Sequence, residues 1–158
     1  MTKICYLDYD GVLQDSQVYN SPGIGIHLRT PGRTLFEWVP ILDELFEPYP
    51  DLKIVLSTTW VAAQNFEFAR DQLPPGLRQR VIGSTYTSEN MRYFDAWARG
   101  KQVSSDVASR NPRAWFAIDD DDSGWPRNCR SRLVKTDGST GISAPAVQDA
   151  IRRILMTL

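Results

Sequence analysis

Two aspartates separated by one residue, Asp8 and Asp10, close the apolar run Lys3-Ile4-Cys5-Tyr6-Leu7, and Gly11 follows at once. A short apolar run of this kind reads as a buried parallel strand. Side chains two apart on extended backbone point the same way, so the two carboxylates can converge just beyond the strand end. Gly11 lets the chain turn there and lets a ligand approach the backbone. Carboxylates held together repel one another unless a cation neutralises them or one keeps its proton. The plain alternative is a strand that runs into an ordinary Asp-Gly turn.

Two further runs end in comparable chemistry. Leu52-Lys53-Ile54-Val55-Leu56 terminates in Ser57-Thr58-Thr59, and Ala114-Trp115-Phe116-Ala117-Ile118 runs into Asp119-Asp120-Asp121-Asp122. Ser57 with Thr58, like Asp119 with Asp120, are residue types that can hold a phosphate or a cation. An all-oxygen donor set without clustered histidine or cysteine favours Mg²⁺ over zinc. The sole histidine, His27, lies in a Gly/Pro-rich stretch and reads as a loop residue. Asp121 and Asp122 read as solvated turn residues, and Trp60, Trp115 and Trp125 as core or crevice wall.

The elements that must position these groups follow from pattern and punctuation. Residues 14–33 carry Asn20-Ser21-Pro22-Gly23, Gly25 and Pro31-Gly32, which predict a looped excursion or small hairpin. Residues 34–47 show helical spacing, with Thr34 as cap and Pro40 as a kink or restart. Helices are expected over 61–73, from Gly100-Lys101 to Arg110, and from Pro145 to Leu158, and weaker strands at 80–83 and 132–136. Strands alternating with helices give a doubly wound α/β fold, a Rossmann-like parallel sheet of about five strands with helices on both faces. In such sheets ligands bind beyond the carboxyl ends of the strands, where the strand order reverses. With the first strand central and the second and fourth beside it, all three clusters meet in one crevice.

Composition bounds the rest. At 158 residues, 42% hydrophobic and 23% charged, the chain reads as one globular domain over 1–158. No run approaches the ~20 apolar residues of a membrane span, and Asp8 and Asp10 interrupt any signal-peptide core. Two cysteines, Cys5 and Cys129, make neither a disulfide scaffold nor a zinc site, so a reducing, cytoplasmic setting is expected. A net charge of −1 provides no basic field for nucleic acid. The basic residues are nonetheless mostly arginine (14 Arg, 4 Lys), and Arg78, Arg80, Arg92 and Arg99 form a group that can contact phosphates.

Asp8-Tyr9-Asp10-Gly11-Val12-Leu13 resembles the first motif of the haloacid dehalogenase (HAD) superfamily of phosphohydrolases, and Leu56-Ser57-Thr58-Thr59 its second. Lys101 resembles the third, a lysine near a helix start, although any lysine or arginine within 92–101 fits that role. Ile118-Asp119-Asp120 resembles the fourth. The texture is similar to small capless domains such as those in bacterial RNA-repair proteins. The resemblance implies Asp8 as nucleophile and Asp10 as acid and base. It implies Mg²⁺ held by Asp8, the Asp10 backbone carbonyl and Asp119, with Asp120 binding or orienting water. Ser57, the Thr58 amide and Lys101 would neutralise the phosphoryl oxygens. The implied activity is phosphomonoester hydrolysis on a phosphorylated, bulky substrate, with nucleic-acid termini as one candidate.

Only about twenty residues separate the first motif from the next helix, room for a flap at 14–33 and not for a cap domain. Caplessness in the family implies an open site. The competing reading is a non-hydrolytic phosphate- or metal-binding module, or an interaction module, on the same fold. A receiver domain fits less well, because its acceptor aspartate stands on the third strand and Arg80–Gly83 has none.

Overall fold

Short apolar runs bounded by Gly, Pro and Asp become the strands, as expected. The computed structural model describes residues 2–158. β1 (Lys3–Leu7) is followed by a hairpin of β2 (Val18–Ser21) and β3 (Gly25–Leu28), then α1 (Val39–Phe46) and β4 (Leu52–Leu56). Three short helices follow, α2 (Trp60–Ala63), α3 (Phe66–Asp71) and α4 (Pro75–Arg78). They lead into β5 (Val81–Ser84), α5 (Arg99–Arg110), β6 (Ala114–Asp119), β7 (Leu133–Lys135) and α6 (Pro145–Thr157). Five strands form one parallel sheet in the order β5-β4-β1-β6-β7. The fold is the doubly wound α/β arrangement expected, with β1 central. The strand order reverses between β1 and β6, which places the crevice at their carboxyl ends.

Alternation along β1 divides the core in two. Cys5 and Leu7 face a large cluster with Leu42 and Phe46 of α1 and Ile151 and Leu155 of α6. Ile4 and Tyr6 face a smaller cluster with Val103 of α5, Trp115 and Trp125. Fully burying such side chains contributes about 1.5–3 kcal/mol each. The Tyr6 hydroxyl donates to Asp106 (2.8 Å), which also accepts from Arg110 Nε (2.7 Å), so α5 is pinned to the sheet through its polar face. Among the described residues, no helix is long and apolar enough to cross a membrane.

The structure corrects several boundaries. The helix read over 34–47 begins only at Val39, and Pro40 occupies its first turn, where no N–H is needed, without kinking it. Phe36 instead adopts a left-handed conformation (φ 57°) that sends its ring against Tyr9 and Trp60, at centroid distances of 5.2 Å each. The helix read over 61–73 is two helices. The Asn65 side chain accepts from Phe68 N–H (2.8 Å) and starts the second one. α5 begins at Arg99, one residue before the Gly100-Lys101 start expected from sequence. The excursion after β1 is the antiparallel β2–β3 hairpin, Val18 opposite Leu28 and Asn20 opposite Ile26.

Gly141 lies where residues 136–142 dock against the turn after β1. Its φ is +51°, and a Cβ there would stand 2.4 Å from the Val12 carbonyl and 2.6 Å from the Trp38 ring. Gly141→Ala is therefore expected to destabilise by about 2–4 kcal/mol. Thermal denaturation should show the midpoint falling by roughly 5–15 °C, and a fall below about 2 °C would contradict this packing.

Candidate active site

Parallel register sets the site. Leu7 is level with Leu56 on one side and Ile118 on the other, so Asp8, Ser57 and Asp119 are the next residues on three adjacent strands. The bonds continue past the strand ends: Ser57 N–H donates to the Leu7 carbonyl (2.8 Å) and Asp8 N–H to the Ile118 carbonyl (3.2 Å). Equal register gives the three side chains one facing. Carboxylate oxygens of Asp8, Asp119 and Asp120 lie within 4.8 Å of one another. Tyr9 N–H donates to Asp8 Oδ1 (2.8 Å) and Asp121 N–H to Asp119 Oδ1 (3.0 Å), which fixes both carboxylates.

The cluster contains one cation. Arg99 Nη1 lies 2.7 Å from Asp119 Oδ2, 3.5 Å from Asp8 Oδ1 and 2.5 Å from the Ser57 carbonyl. Arg99, at the first turn of α5 and within the 92–101 window that the sequence leaves open for a third-motif cation, is the one in contact with these carboxylates. Lys101 is exposed, its Nζ 4.1 Å from the centroid of the Trp97 ring. Lys101, the lysine read from sequence, makes no ion pair with the cluster, and Arg99 two residues earlier takes that contact. Arg78 and Arg80 do not join a phosphate-binding group either. Arg78 donates to the Leu73 carbonyl, and Arg80 to the carbonyls of Phe46, Tyr49 and Leu52.

Asp10 occupies a separate niche one step out. Its Oδ1 accepts from both Trp60 Nε1 (2.8 Å) and Gln14 Nε2 (2.9 Å). Gln14 is fully buried, and its Oε1 accepts from Phe36 N–H (2.8 Å), which dictates that the amide turns its NH₂ to Asp10. Sequence reading missed Trp60 as an Asp10 partner, and missed Gln14 and Phe36 altogether. A glutamine four residues after Asp10 was the one local signal available.

Ser57 and Thr58 divide their work. Thr58 Oγ1 accepts from Trp60 N–H (3.3 Å) at the start of α2, a structural role. Ser57 Oγ is buried with no hydrogen-bond partner among the described residues. A buried hydroxyl without a partner costs about 1–3 kcal/mol, a cost that a ligand oxygen would offset. Asp120 lies against the Gly11 backbone: a Cβ on Gly11 (φ +77°) would stand 2.2 Å from Asp120 Oδ2. The Thr136 hydroxyl donates to the Gly11 carbonyl (2.6 Å) and holds that loop down. Asp121 and Asp122 are exposed, the former receiving Ser123 N–H and the latter pairing with Lys135 (3.3 Å).

Burial raises the Asp8 carboxyl well above its ordinary range; the neighbouring Asp119 charge adds to this, and Arg99 opposes it. Burial pushes Asp119 up to about 6 against the pull of Arg99. Asp120 is also raised by burial, and so is Asp10, which Trp60 and Gln14 pull back. Arg99 stays charged, because Asp8 and Asp119 outweigh its desolvation. Four carboxylates around one guanidinium leave an excess of negative charge that a hard divalent cation would relieve. The donor set is all oxygen, as Mg²⁺ requires.

A doubly wound sheet with this arrangement at its switch point, and only a hairpin inserted after β1, is a HAD-like fold without a cap. The chain belongs to the family of HAD domains in Swiss Army Knife RNA repair proteins, whose sequence profile matches residues 4–147. No curated protein and no solved structure gives a significant match.

A carboxylate raised by folding holds protons that the unfolded chain has already lost. This costs stability as pH rises from the unfolded value near 3.9 through the folded value of about 6 at Asp119. A bound cation must displace those protons. The Mg²⁺ dissociation constant, measured by calorimetry, is expected to tighten at least tenfold between about pH 5 and pH 7. A constant affinity across that window would contradict the assignment of these aspartates as ligands.

Proposed function

We propose that the protein is a Mg²⁺-dependent phosphomonoesterase working through an aspartyl-phosphate. One observation carries the reading: Asp8, Asp119 and Asp120 converge around Arg99 beside the orphaned Ser57 hydroxyl, while Asp10 is held apart on its own clamp. Two groups of aspartates in different environments suit two roles, nucleophile and proton carrier.

Asp8 attacks phosphorus, the bond from phosphorus to the alcohol oxygen breaks, and the phosphoryl group is transferred to the carboxylate. Asp10 gives its proton to the departing oxygen, then takes a proton from the water that cleaves the aspartyl-phosphate. Ser57 Oγ and Arg99 donate to the phosphoryl oxygens, where charge is redistributed in the transition state. Asp8 and Asp119, with Asp120 and the Asp10 carbonyl, would hold Mg²⁺. When bound, the metal offsets the repulsion between one anion and another.

The substrate best supported is a phosphorylated RNA end. The family's occurrence in RNA repair proteins favours it, and so does a crevice without a cap, open to a bulky molecule. A net charge of −1 suits capture of a terminus more than tracking of a duplex.

Hydrolysis of para-nitrophenyl phosphate tests the reading. Turnover should need Mg²⁺, stop with EDTA, and fall at least a thousandfold in Asp8→Asn; Asp10→Asn should lose about 10²–10⁴-fold. Arg99→Ala should cost about 10²–10³-fold, as for loss of an oxyanion donor. Lys101→Ala should stay within about twofold of wild type, since this lysine is exposed and stacks on Trp97. A larger loss in Lys101→Ala than in Arg99→Ala would reverse the assignment of the third-motif role. Phosphorylated oligonucleotides blocked at either end would then identify the preferred terminus.

A further inference from the structure

A groove of about 150 Å³ opens beside Asp10, between the β2–β3 hairpin and α2. Val18, Asn20 and Ile26 line it from the hairpin, and Ala63 and Gln64 from the helix end. Asn20 stands opposite Ile26 and two residues from Val18, so the three share one hairpin face. Val18 and Ile26 also pack on the core, which ties this wall to the domain. At the base of the hairpin, Asp15 Oδ1 accepts from Gln17 N–H and the Thr30 hydroxyl, each at 2.8 Å.

We infer that this groove is the leaving-group subsite and receives a neutral, planar ring carried by the departing alcohol, as in a nucleoside. The inference rests on the phosphatase reading. Phosphorus must lie over Asp8, Ser57 and Arg99, and the alcohol oxygen must reach Asp10. Both donors to Asp10 fall on Oδ1, so the proton it delivers sits on Oδ2. The group bearing that oxygen must then occupy space that Asp10 borders, and this groove is such a space.

Its lining defines the chemistry. Among the described residues that line it, Asp10 and the Tyr19 phenol are the only ionisable groups, so no cationic side chain there pairs with an anionic leaving group. Val18, Ile26 and Ala63 supply apolar contact, and the Asn20 and Gln64 amides can hydrogen-bond the edge of a heterocycle. A space of about 150 Å³ holds one six-membered ring. A phosphorylated serine or a short alkyl phosphate would leave it unfilled.

Benzyl phosphate and ethyl phosphate test the subsite, because both release primary alcohols and differ in the ring. Wild type should show kcat/KM at least tenfold higher for the benzyl ester. In Ala63→Phe, an exposed substitution that fills the groove, the benzyl-to-ethyl ratio should collapse toward one. In Ile26→Ala, which widens it, the ratio should fall about threefold. A wild-type ratio near one, or losses in Ala63→Phe that are equal for both esters, would overturn the subsite while leaving the phosphatase standing. No turnover of either ester or of para-nitrophenyl phosphate would overturn the phosphatase reading and the subsite with it.

Discussion

The site depends on the register of three parallel strands. Because Leu7 is level with Leu56 and Ile118, the next residues along the three strands are Asp8, Ser57 and Asp119, all turned the same way. A slip of one residue in either pairing would turn a member of this set to the opposite face. The register is in turn fixed by burial on both faces. Cys5, Leu7, Ile54, Leu56 and Ile118 fill the larger cluster, and Ile4, Tyr6, Val55 and Ala117 the smaller. Hydrophobic packing thus does for the acids what no interaction among them could, since like charges brought together repel.

Electrostatic cost is concentrated at the crevice. Asp8 and Asp119 lie almost entirely out of solvent, and one guanidinium cannot balance both along with Asp120 and Asp10. Asp10 is placed differently. An indole and an amide hold it by one oxygen, and Phe36 keeps the amide from turning. This arrangement gives neighbouring aspartates distinct proton affinities without any change of residue type.

Much of this was legible before any coordinates. Asp8, Asp10, Ser57, Thr58, Asp119 and Asp120 depend only on where strands end, and apolar runs mark strand ends well. The five-stranded sheet and the hairpin after β1 follow from the same punctuation. Arg99 was less legible, because the start of α5 is set from a distance. Gly100 N–H donates to the Ser123 carbonyl, and the backbone of Trp125 approaches so closely that a Cβ on Gly100 would stand 2.5 Å away. Residues 34–38 misled for a related reason. Their apolar spacing is helical, yet Phe36 turns into a left-handed conformation to reach Tyr9, Trp60 and Gln14. Trp60 and Gln14 carry no periodic signal of their roles, since they act through hydrogen bonds formed only in the assembled fold, one from Trp60 to Asp10 and two at Gln14.

The loop that follows β1 is fastened from the other end of the chain. Thr136 Oγ1 donates to the Gly11 carbonyl, Ile142 N–H to Val12, and Ser16 N–H to the Gly138 carbonyl. The first of these joins residues 125 positions apart. Closing so long a loop is entropically costly and comes after local structure has formed. During synthesis Asp8 and Asp10 emerge before Thr136, Gly138 and Ile142, the residues that hold their loop. The crevice therefore reaches its final form only when the segment around β7 docks. Order of assembly, as much as final geometry, governs when its walls are complete.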